Sequence, residues 1–245
     1  MNYVRVILST LAVTACALYL GWIFFATSNR ENELCDSFAV DVKDADKANF
    51  VDSVYILSLV KNKDLYPVGK RFNEIDLNKI EDAVKSCPMV LKAVCYRTPT
   101  GEVKVEMTQR QPVYRVMTEE GNYYVDKNHQ TFPTSYNSTV EVPLLSGTLT
   151  KEYAKDSLYD FMLFIKDDKF WREQTIQVYV DAQEGLMLIP RVGNHVILLG
   201  NASNFEQKLE NVKVFYSKVI NEVGWNSYSR IDVRYNDQII CTPNN

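Results

Sequence analysis

Residues 76–107 read DLNKIEDAVKSCPMVLKAVCYRTPTGEVKVEM, and this stretch combines the period of a helix with the period of a β-hairpin. Asp76 is a good N-cap, and Pro88 ends the helix that follows it. One face of this helix carries the apolar residues Ile80, Ala83, Val84 and Cys87. After a turn at residues 99–101, apolar and polar residues alternate strictly, as in a half-buried strand. We therefore expect a helix followed by two antiparallel strands, Val90–Arg97 and Val103–Met107.

Two elements that precede this stretch complete a small α+β domain. Phe38–Val42 alternates as a strand does, and Val51–Val60 has enough apolar residues for a short helix before the Tyr66-Pro67-Val68-Gly69 turn. The expected order is β-α-α-β-β, over residues 38–112. Its predicted core contains Ile80, Ala83, Val84, Val103 and Val105.

Beyond Pro112 the sequence predicts a second, mixed α/β domain with an antiparallel sheet, over residues 113–245. The predicted strands are 113–117, 123–125, 142–145, 176–180, 186–190, 195–199, 231–235 and 238–241, and the predicted helices are 151–171 and 205–223. Turn residues separate the three strands between 176 and 199, so these strands are expected to form a meander. The apolar stripe of the first helix, from Ala154 to Ile165, is expected to pack on the sheet.

Residues 6–26, VILSTLAVTACALYLGWIFFA, form an uncharged apolar run. At about 1.5 Å per residue this run spans roughly 30 Å, the thickness of the hydrocarbon core of a bilayer. A cleaved signal peptide has a shorter apolar region, and the lipid-attachment-like residues 13–16 are followed by further apolar residues rather than a hydrated spacer. We therefore expect a single transmembrane helix at 6–26, a cytoplasmic tail at 1–5 and a juxtamembrane link at 27–37.

The composition excludes several classes of function. A net charge of −4 and a pI near 5.4 argue against a nucleic-acid surface. With two histidines, no C-x-x-C pair and nine glycines, the chain lacks a zinc motif, a nucleophile elbow and a phosphate-binding loop. We predict no catalytic, cofactor-binding or metal-ligating residue and no small-molecule substrate. In an oxidising compartment Cys35, Cys87, Cys95 and Cys241 could pair or stay free thiols, and the sequence leaves this open.

One short motif supports an alternative function. Asp44-Ala45-Asp46 has the D-x-D pattern that binds a metal-nucleotide complex in membrane-anchored glycosyltransferases of the cell envelope. The motif lies in a charged segment and is short enough to arise by chance.

Five segments, in chain order, carry a family resemblance. They are Pro88-Met89-Val90 with Ala93 and Cys95, Gln109-Arg110-Gln111-Pro112-Val113, Tyr124-Val125-Asp126 with Phe132-Pro133, Val142-Pro143-Leu144-Leu145-Ser146-Gly147, and Ile231-Asp232-Val233-Arg234-Tyr235 with Gln238-Ile239-Ile240. Behind one apolar helix, they resemble the POTRA domain and the β domain of the bacterial division family FtsQ/DivIB. Four features differ from that family: the short tail, Cys95 in place of a core valine, Gln109 in place of a glutamate, and His129 in place of a turn glycine. The last leaves open whether Asn128 or His129 takes the left-handed conformation.

The resemblance implies a non-enzymatic, single-pass scaffold of the divisome. It would lie in the bacterial inner membrane at the division septum, with its N-terminus in the cytoplasm and its domains in the periplasm. Its implied partners are bitopic coiled-coil division proteins of the FtsB/FtsL type, other divisome membrane proteins and the membrane itself. A POTRA protein of envelope transport or assembly is a further alternative.

The end of the chain is where the resemblance places the partner. The implied partner-binding residues are Arg234, Tyr235, Asp237, Gln238, Ile239 and Ile240. As part of the final strand, they are expected at a sheet edge, where an incoming strand could add. The competing interpretation is that Ile231, Val233, Tyr235 and Ile239 pack the core of the domain.

Overall fold

The computed structural model of the protein describes residues 11–22, 32–46, 50–134, 140–235 and 238–244. The chain divides into two compact units. The N-terminal unit comprises Met1–Asp46 and Val51–Gln109, and the C-terminal unit comprises Lys47–Phe50 and Arg110–Asn245.

Only part of the predicted membrane span falls within the described residues. Residues 11–22 are helical, whereas the rest of 6–26, the tail at 1–5 and residues 27–31 of the link lie outside the described ranges. Within those ranges, no helix combines the length and the hydropathy that crossing a bilayer requires.

The N-terminal unit has the predicted β-α-α-β-β order. Its elements are β1 (Ser37–Val42), α1 (Ser53–Asn62), a short 3₁₀ helix (Phe72–Glu74), α2 (Leu77–Lys85), β2 (Val90–Arg97) and β3 (Glu102–Gln109). β3 is the central strand of the sheet, antiparallel to β2 and parallel to β1. The two helices after β1 bring the chain back in β2, which runs antiparallel to β1, and the β2–β3 hairpin reverses the chain again, so that β3 runs parallel to β1.

The core of this unit lies between the helices and one face of the sheet. The Asp76 carboxylate accepts the N–H of Lys79, which begins α2 as predicted. The buried core residues include Ile56, Val60, Ile80, Ala83, Val84, Val103, Val105 and Met107. All five predicted core residues are among them, since both the helical and the strand periods place them on the inner faces.

The ordered contacts of the unit begin before β1. The Phe72 N–H donates to the Glu33 carbonyl at 3.1 Å, and the Cys35 N–H donates to the Lys70 carbonyl at 2.9 Å. Leu34 forms an antiparallel bridge with Arg71. Residues 33–35, which the sequence assigns to the link, are thus hydrogen-bonded to residues 70–72.

The C-terminal unit is a nine-stranded sheet with helices. Its strands are β4 (Pro112–Thr118), β5 (Gly121–Asp126), β6 (Thr131–Pro133), β7 (Leu144–Gly147), β8 (Thr175–Asp181), β9 (Gly185–Pro190), β10 (Val196–Gly200), β11 (Tyr228–Asp232) and β12 (Ile240–Pro243). Its helices are a π-helical turn (Tyr153–Ser157), α3 (Tyr159–Asp167), α4 (Lys169–Gln174), α5 (Phe205–Phe215), a second π-helical turn (Tyr216–Ile220) and α6 (Asn221–Val223). The strand order is β12-β11-β10-β9-β8-β7-β4-β5-β6.

The prediction of an antiparallel sheet in this unit is wrong, because the sheet is mixed. β8, β9 and β10 form the predicted antiparallel meander, but β4 with β7, β7 with β8 and β10 with β11 pair in parallel. Helices connect β7 to β8 and β10 to β11. A helical crossover returns the chain in its original direction, and it therefore produces a parallel pair.

Three predicted boundaries also differ from the structure. The helix predicted at 151–171 is interrupted at Asp168, which has extended backbone dihedrals and caps α4 by accepting the Trp171 N–H. The strand predicted at 231–235 ends at Asp232, and the strand predicted at 142–145 is displaced to 144–147. β6 was not predicted, because it is only three residues long and ends at Pro133.

One apolar core joins the sheet and helices of the C-terminal unit. The predicted stripe of the first helix is fully buried there, at Ala154, Leu158, Phe161, Met162 and Ile165. Leu209, Val212 and Ile220 pack into the same core from α5 and the turn that follows it. Both helical segments of this unit thus contribute to the same core.

Candidate protein-docking site

β12 is an edge strand of the nine-stranded sheet. It pairs with β11, and no other described strand pairs with its opposite side. Its first residue, Ile240, is about half exposed. At four residues with Pro243 at its end, β12 offers only a short edge for main-chain pairing. A partner that added a strand here would therefore need further contacts beside it.

An open groove of about 890 Å³ lies beside this edge. One wall is formed by α5 and the turn that follows, and the other by Val233, Tyr235, Gln238 and Ile239, which lie between β11 and β12 in the sequence. The apolar lining consists of Val214, Phe215, Val219, Val233, Tyr235 and Ile239. Tyr235 and Val214 are both more than 40% exposed, at 49% and 42%. The groove thus presents apolar surface to solvent next to the start of the edge strand, since Ile239 in its lining directly precedes Ile240.

An ion pair shapes the segment that carries Tyr235. The Asp232 carboxylate accepts the Arg234 backbone N–H at 3.1 Å and three guanidinium hydrogen bonds, at 3.0, 3.1 and 2.6 Å. Burial raises the pKa of Asp232, but the hydrogen bonds and charge of Arg234 outweigh burial, so the pKa stays below its ordinary value. Asp232 therefore remains a carboxylate that ends β11 and fixes the turn leading to Tyr235.

The side chain of Arg234 packs closely on the backbone of Gly200. A Cβ built at Gly200, where φ is +73°, would lie 2.9 Å from the Arg234 side chain. Arg234 is thus held from two sides, by the Asp232 carboxylate and by Gly200 at the end of β10. The neighbouring Arg230 makes a bidentate ion pair with Glu184, at 2.7 and 2.8 Å.

The polar rim of the groove includes Lys208, Lys218 and Glu206. The Lys208 ammonium donates to the Leu199 carbonyl at 2.9 Å and to the carbonyl and side chain of Asn201 at 3.2 and 3.1 Å. Burial lowers the pKa of this lysine. The hydrogen bonds to the Leu199 and Asn201 carbonyls thus position the Lys208 ammonium at the end of β10, on the α5 side of the groove.

The structure divides the predicted partner-binding residues into two groups. Ile240 lies in the edge strand, whereas Tyr235, Gln238 and Ile239 line the groove. Arg234 is turned to Asp232, and Asp237 lies outside the described residues. Of the alternative core residues, Ile231 and Val233 are buried, Ile239 is partly buried and packs against the core, and Tyr235 is exposed.

The α5 side of the groove was missed by sequence reasoning. Val214 and Phe215 lie on the same helix as the buried Leu209 and Val212, and neither was assigned a role from the sequence. Val214 lies outside the i, i+3, i+4 pattern of the buried residues, and an apolar residue at such a position is expected to be exposed. This is the signal that could have identified it.

The D-x-D motif has a structural contact. The Asp44 carboxylate accepts the backbone N–H of Gln109, with distances of 3.0 and 3.1 Å to its two oxygens. Gln109 is fully buried, and its side-chain oxygen accepts the Val51 N–H at 2.9 Å. Among the residues that the structure describes, no cluster of His, Cys, Asp or Glu could hold a metal ion. In this structure Asp44 therefore serves to fix the end of β3.

The family comparisons agree with this division into two units. A model described as "FtsQ/DivIB, C-terminal related" matches residues 111–242, which is more than half of the chain, and a model of the POTRA-like domain matches residues 33–108. The chain belongs to the FtsQ/DivIB family. A search of curated proteins gives no match. As a member of FtsQ/DivIB with a POTRA-like domain, the chain is associated with a scaffold role in cell division.

Several motif residues of the FtsQ/DivIB resemblance have identifiable roles in the fold. Arg110 donates to the buried Asp126 carboxylate at 2.6 Å and ties the start of β4 to the turn after β5. In that turn His129 takes the left-handed conformation, with φ of +58°, and stacks on Tyr159. Gly147 has φ of +108°, and a Cβ there would lie 2.2 Å from the Val180 carbonyl oxygen. These motifs therefore maintain the fold around the sheet and lie outside the groove.

Proposed function

We propose that this protein is a non-enzymatic, single-pass scaffold of the bacterial divisome that binds partner proteins in the periplasm. The apolar run at 6–26 supports an inner-membrane anchor, and family membership supports the division septum as its location. The tail at 1–5 would be cytoplasmic. The partner class is a bitopic coiled-coil division protein.

The observation that carries this proposal is the unpaired edge of β12 beside an exposed apolar groove. A partner segment that adds a short strand to β12 satisfies the free N–H and C=O groups of the edge. The same segment can place apolar side chains between Phe215 and Ile239. Main-chain pairing supplies part of the affinity, and the fit of side chains in the groove supplies specificity.

Tyr235 is the expected centre of this contact. It is a half-exposed aromatic residue on a turn that Asp232 holds in place, and tyrosine is enriched at binding hot spots. Because the backbone at Tyr235 is fixed before binding, less conformational entropy is lost when this segment binds a partner. Asp232 and Arg234 therefore act by positioning Tyr235 in this proposal.

The test measures binding of the full-length protein to a coexpressed bitopic coiled-coil partner. Tyr235→Ala and Ile240→Pro are each expected to weaken binding about tenfold or more, which corresponds to about 1.4 kcal/mol. Arg234→Glu is expected to weaken it as well, because Asp232 would face a like charge and the turn would open.

Ile176→Ala is the matched control, because Ile176 is an exposed apolar residue outside the groove. It should bind the partner as the unchanged protein does. Folding is measured in parallel by thermal unfolding. If Tyr235→Ala, Ile240→Pro and Arg234→Glu all stay folded and retain the partner at unchanged affinity, the docking assignment is wrong.

A further inference from the structure

The corner of the N-terminal unit nearest the apolar run is formed by residues 33–35 and 69–72, which we call the tether edge. Backbone hydrogen bonds hold the two segments together, from Phe72 to Glu33, from Cys35 to Lys70 and from Gly69 to Cys35. Cys35 is only 1% exposed, so this edge is part of the folded unit. The chain therefore enters the fold at a fixed point.

The length of chain between that point and the proposed membrane span is short. The span ends at Ala26, which leaves residues 27–31 before Asn32. Even a fully extended chain covers at most about 3.3–3.6 Å per residue, so Asn32 lies within roughly 20 Å of the hydrocarbon boundary. The headgroup layer occupies about 5–8 Å of that distance. Whichever way the chain runs, the tether edge stays close to the lipid surface.

The side chains of the tether edge suit such a surface. Leu34 is 54% exposed although it lies at a backbone bridge, and the exposed Arg71 is its bridge partner. An exposed apolar residue next to an arginine is suited to a membrane interface. The aliphatic part of the arginine covers apolar surface, while its charged group reaches the lipid headgroups.

Glu33 and Glu74 make contacts within the fold at this corner, whereas Asp36, which follows Cys35, is exposed. Glu33 makes an ion pair with Arg97, whose guanidinium lies 3.7 Å from the centre of the Phe72 ring. The Glu74 carboxylate accepts the Arg71 N–H at 3.4 Å. Repulsion between the Glu33 carboxylate and anionic lipid headgroups is reduced by this pairing.

We propose that the tether edge packs on the lipid headgroup layer, with Leu34 at the contact, and so sets the orientation of the N-terminal unit on the membrane. This inference rests on the membrane anchor of the proposed function. In the proposed orientation β1 leads away from the bilayer, and its six residues place its far end about 20 Å from the tether edge. The turn at residues 43–46 lies at the far end of that strand.

The test uses the full chain in lipid nanodiscs with a fluorescent NBD label at Leu34→Cys. Ala45→Cys is the matched control, because Ala45 is exposed in the turn beyond β1. Both variants carry Cys16→Ser and Cys241→Ser, since Cys35, Cys87 and Cys95 are buried. Lipids with a nitroxide on the headgroup are added as the quencher. The label at residue 34 is expected to lose most of its emission, and the label at residue 45 little.

Two outcomes would overturn the proposal, and they are distinguishable. If the protein enters the nanodiscs but the two labels are quenched equally, or residue 34 is not quenched, the tether edge does not face the lipid and the anchor stands. If the protein does not enter nanodiscs at all, both the anchor and the orientation are wrong. Thermal unfolding of each labelled variant checks that exchanging an exposed residue leaves the fold intact.

Discussion

Replacing Gly147 by alanine is expected to destabilise the C-terminal unit by about 3 kcal/mol or more. Gly147 ends β7 with φ of +108°, a conformation that costs an L-residue about 1–3 kcal/mol. The added Cβ would also lie 2.2 Å from the Val180 carbonyl oxygen, which accepts the Thr148 N–H at 2.8 Å. Moving β8 away would break that hydrogen bond, and an unsatisfied buried group costs a further 1–3 kcal/mol or so.

Two other glycines of the same unit separate the cost of the backbone conformation from the cost of the close contact. Gly224 has φ of +95° but only an ordinary contact, 3.8 Å from the Ser227 hydroxyl, so Gly224→Ala should show the conformational cost alone. Gly121 has neither feature, and its alanine variant should keep or slightly gain stability, by up to about 1 kcal/mol.

The assay is urea unfolding followed by tryptophan fluorescence, to which Trp171, fully buried in this unit, and Trp225 contribute. The expected order of destabilisation is Gly147 first, then Gly224, then Gly121. If Gly147→Ala is no more destabilising than Gly224→Ala, the close approach of β7 and β8 does not limit the fold, and the reasoning fails.

Two further predictions concern the core of each unit. Val105→Asp places an unpaired charge at a fully buried site and should lower the stability of the N-terminal unit by about 3–5 kcal/mol, seen as faster amide hydrogen exchange in β3. The control is Val54→Asp, at an exposed site in the first turn of α1, which should leave the stability unchanged. Equal exchange in the two variants would contradict the core assignment. Burial lowers the pKa of His195 below its unfolded value near 6.5. As the pH falls, the unfolded state therefore binds a proton at this histidine before the folded state does. The C-terminal unit should lose stability below about pH 6.5, by at most about 1.4 kcal/mol per pH unit. His195→Gln should flatten urea midpoints between pH 7.5 and 5.5, and an unchanged slope would show that another group titrates.

The elements that sequence analysis predicts well are those whose signals are local. α2 begins at an N-cap that can be recognised from Asp76 alone, and its buried residues, Ile80, Ala83 and Val84, follow the helical period. β3 alternates strictly between buried and less buried residues, because one face packs on the helices and the other faces solvent, whereas the alternation of β2 is broken near its start. Here local preference and tertiary packing agree.

The interruption at Asp168 could not be seen from periodicity. Apolar residues continue across it, since Ile165 and Trp171 are both buried in the same core. The hydrogen bond from the Trp171 N–H to the Asp168 carboxylate is a capping signal, but an aspartate within an apolar stripe also fits a continuous helix. The parallel strand pairs were missed for a related reason, because pairing between strands distant in sequence leaves no local pattern.

The docking site was only partly predictable. Family resemblance pointed to the end of the chain, and β12 does lie at a sheet edge. The groove beside it depends on the approach of α5 to the segment after β11, so that Phe215 and Ile239 share one cavity. The role of Asp232 in fixing the turn could not be predicted either, because the sequence pattern at 231–235 fits a continuous strand. Only the structure shows that the Asp232 carboxylate accepts the Arg234 N–H.

The central claim, that β12 and its groove bind a partner, is tested most directly by photo-crosslinking in living cells. A photoreactive amino acid is placed at Ile240, in the edge strand β12, and in a second variant at Thr131, in β6 at the opposite edge of the same sheet. The account predicts that residue 240 crosslinks a single-pass coiled-coil division protein, that residue 131 does not, and that Tyr235→Ala removes the crosslink. Equal crosslinking of that protein from both edges, or none from residue 240 in a folded and membrane-inserted protein, would contradict it.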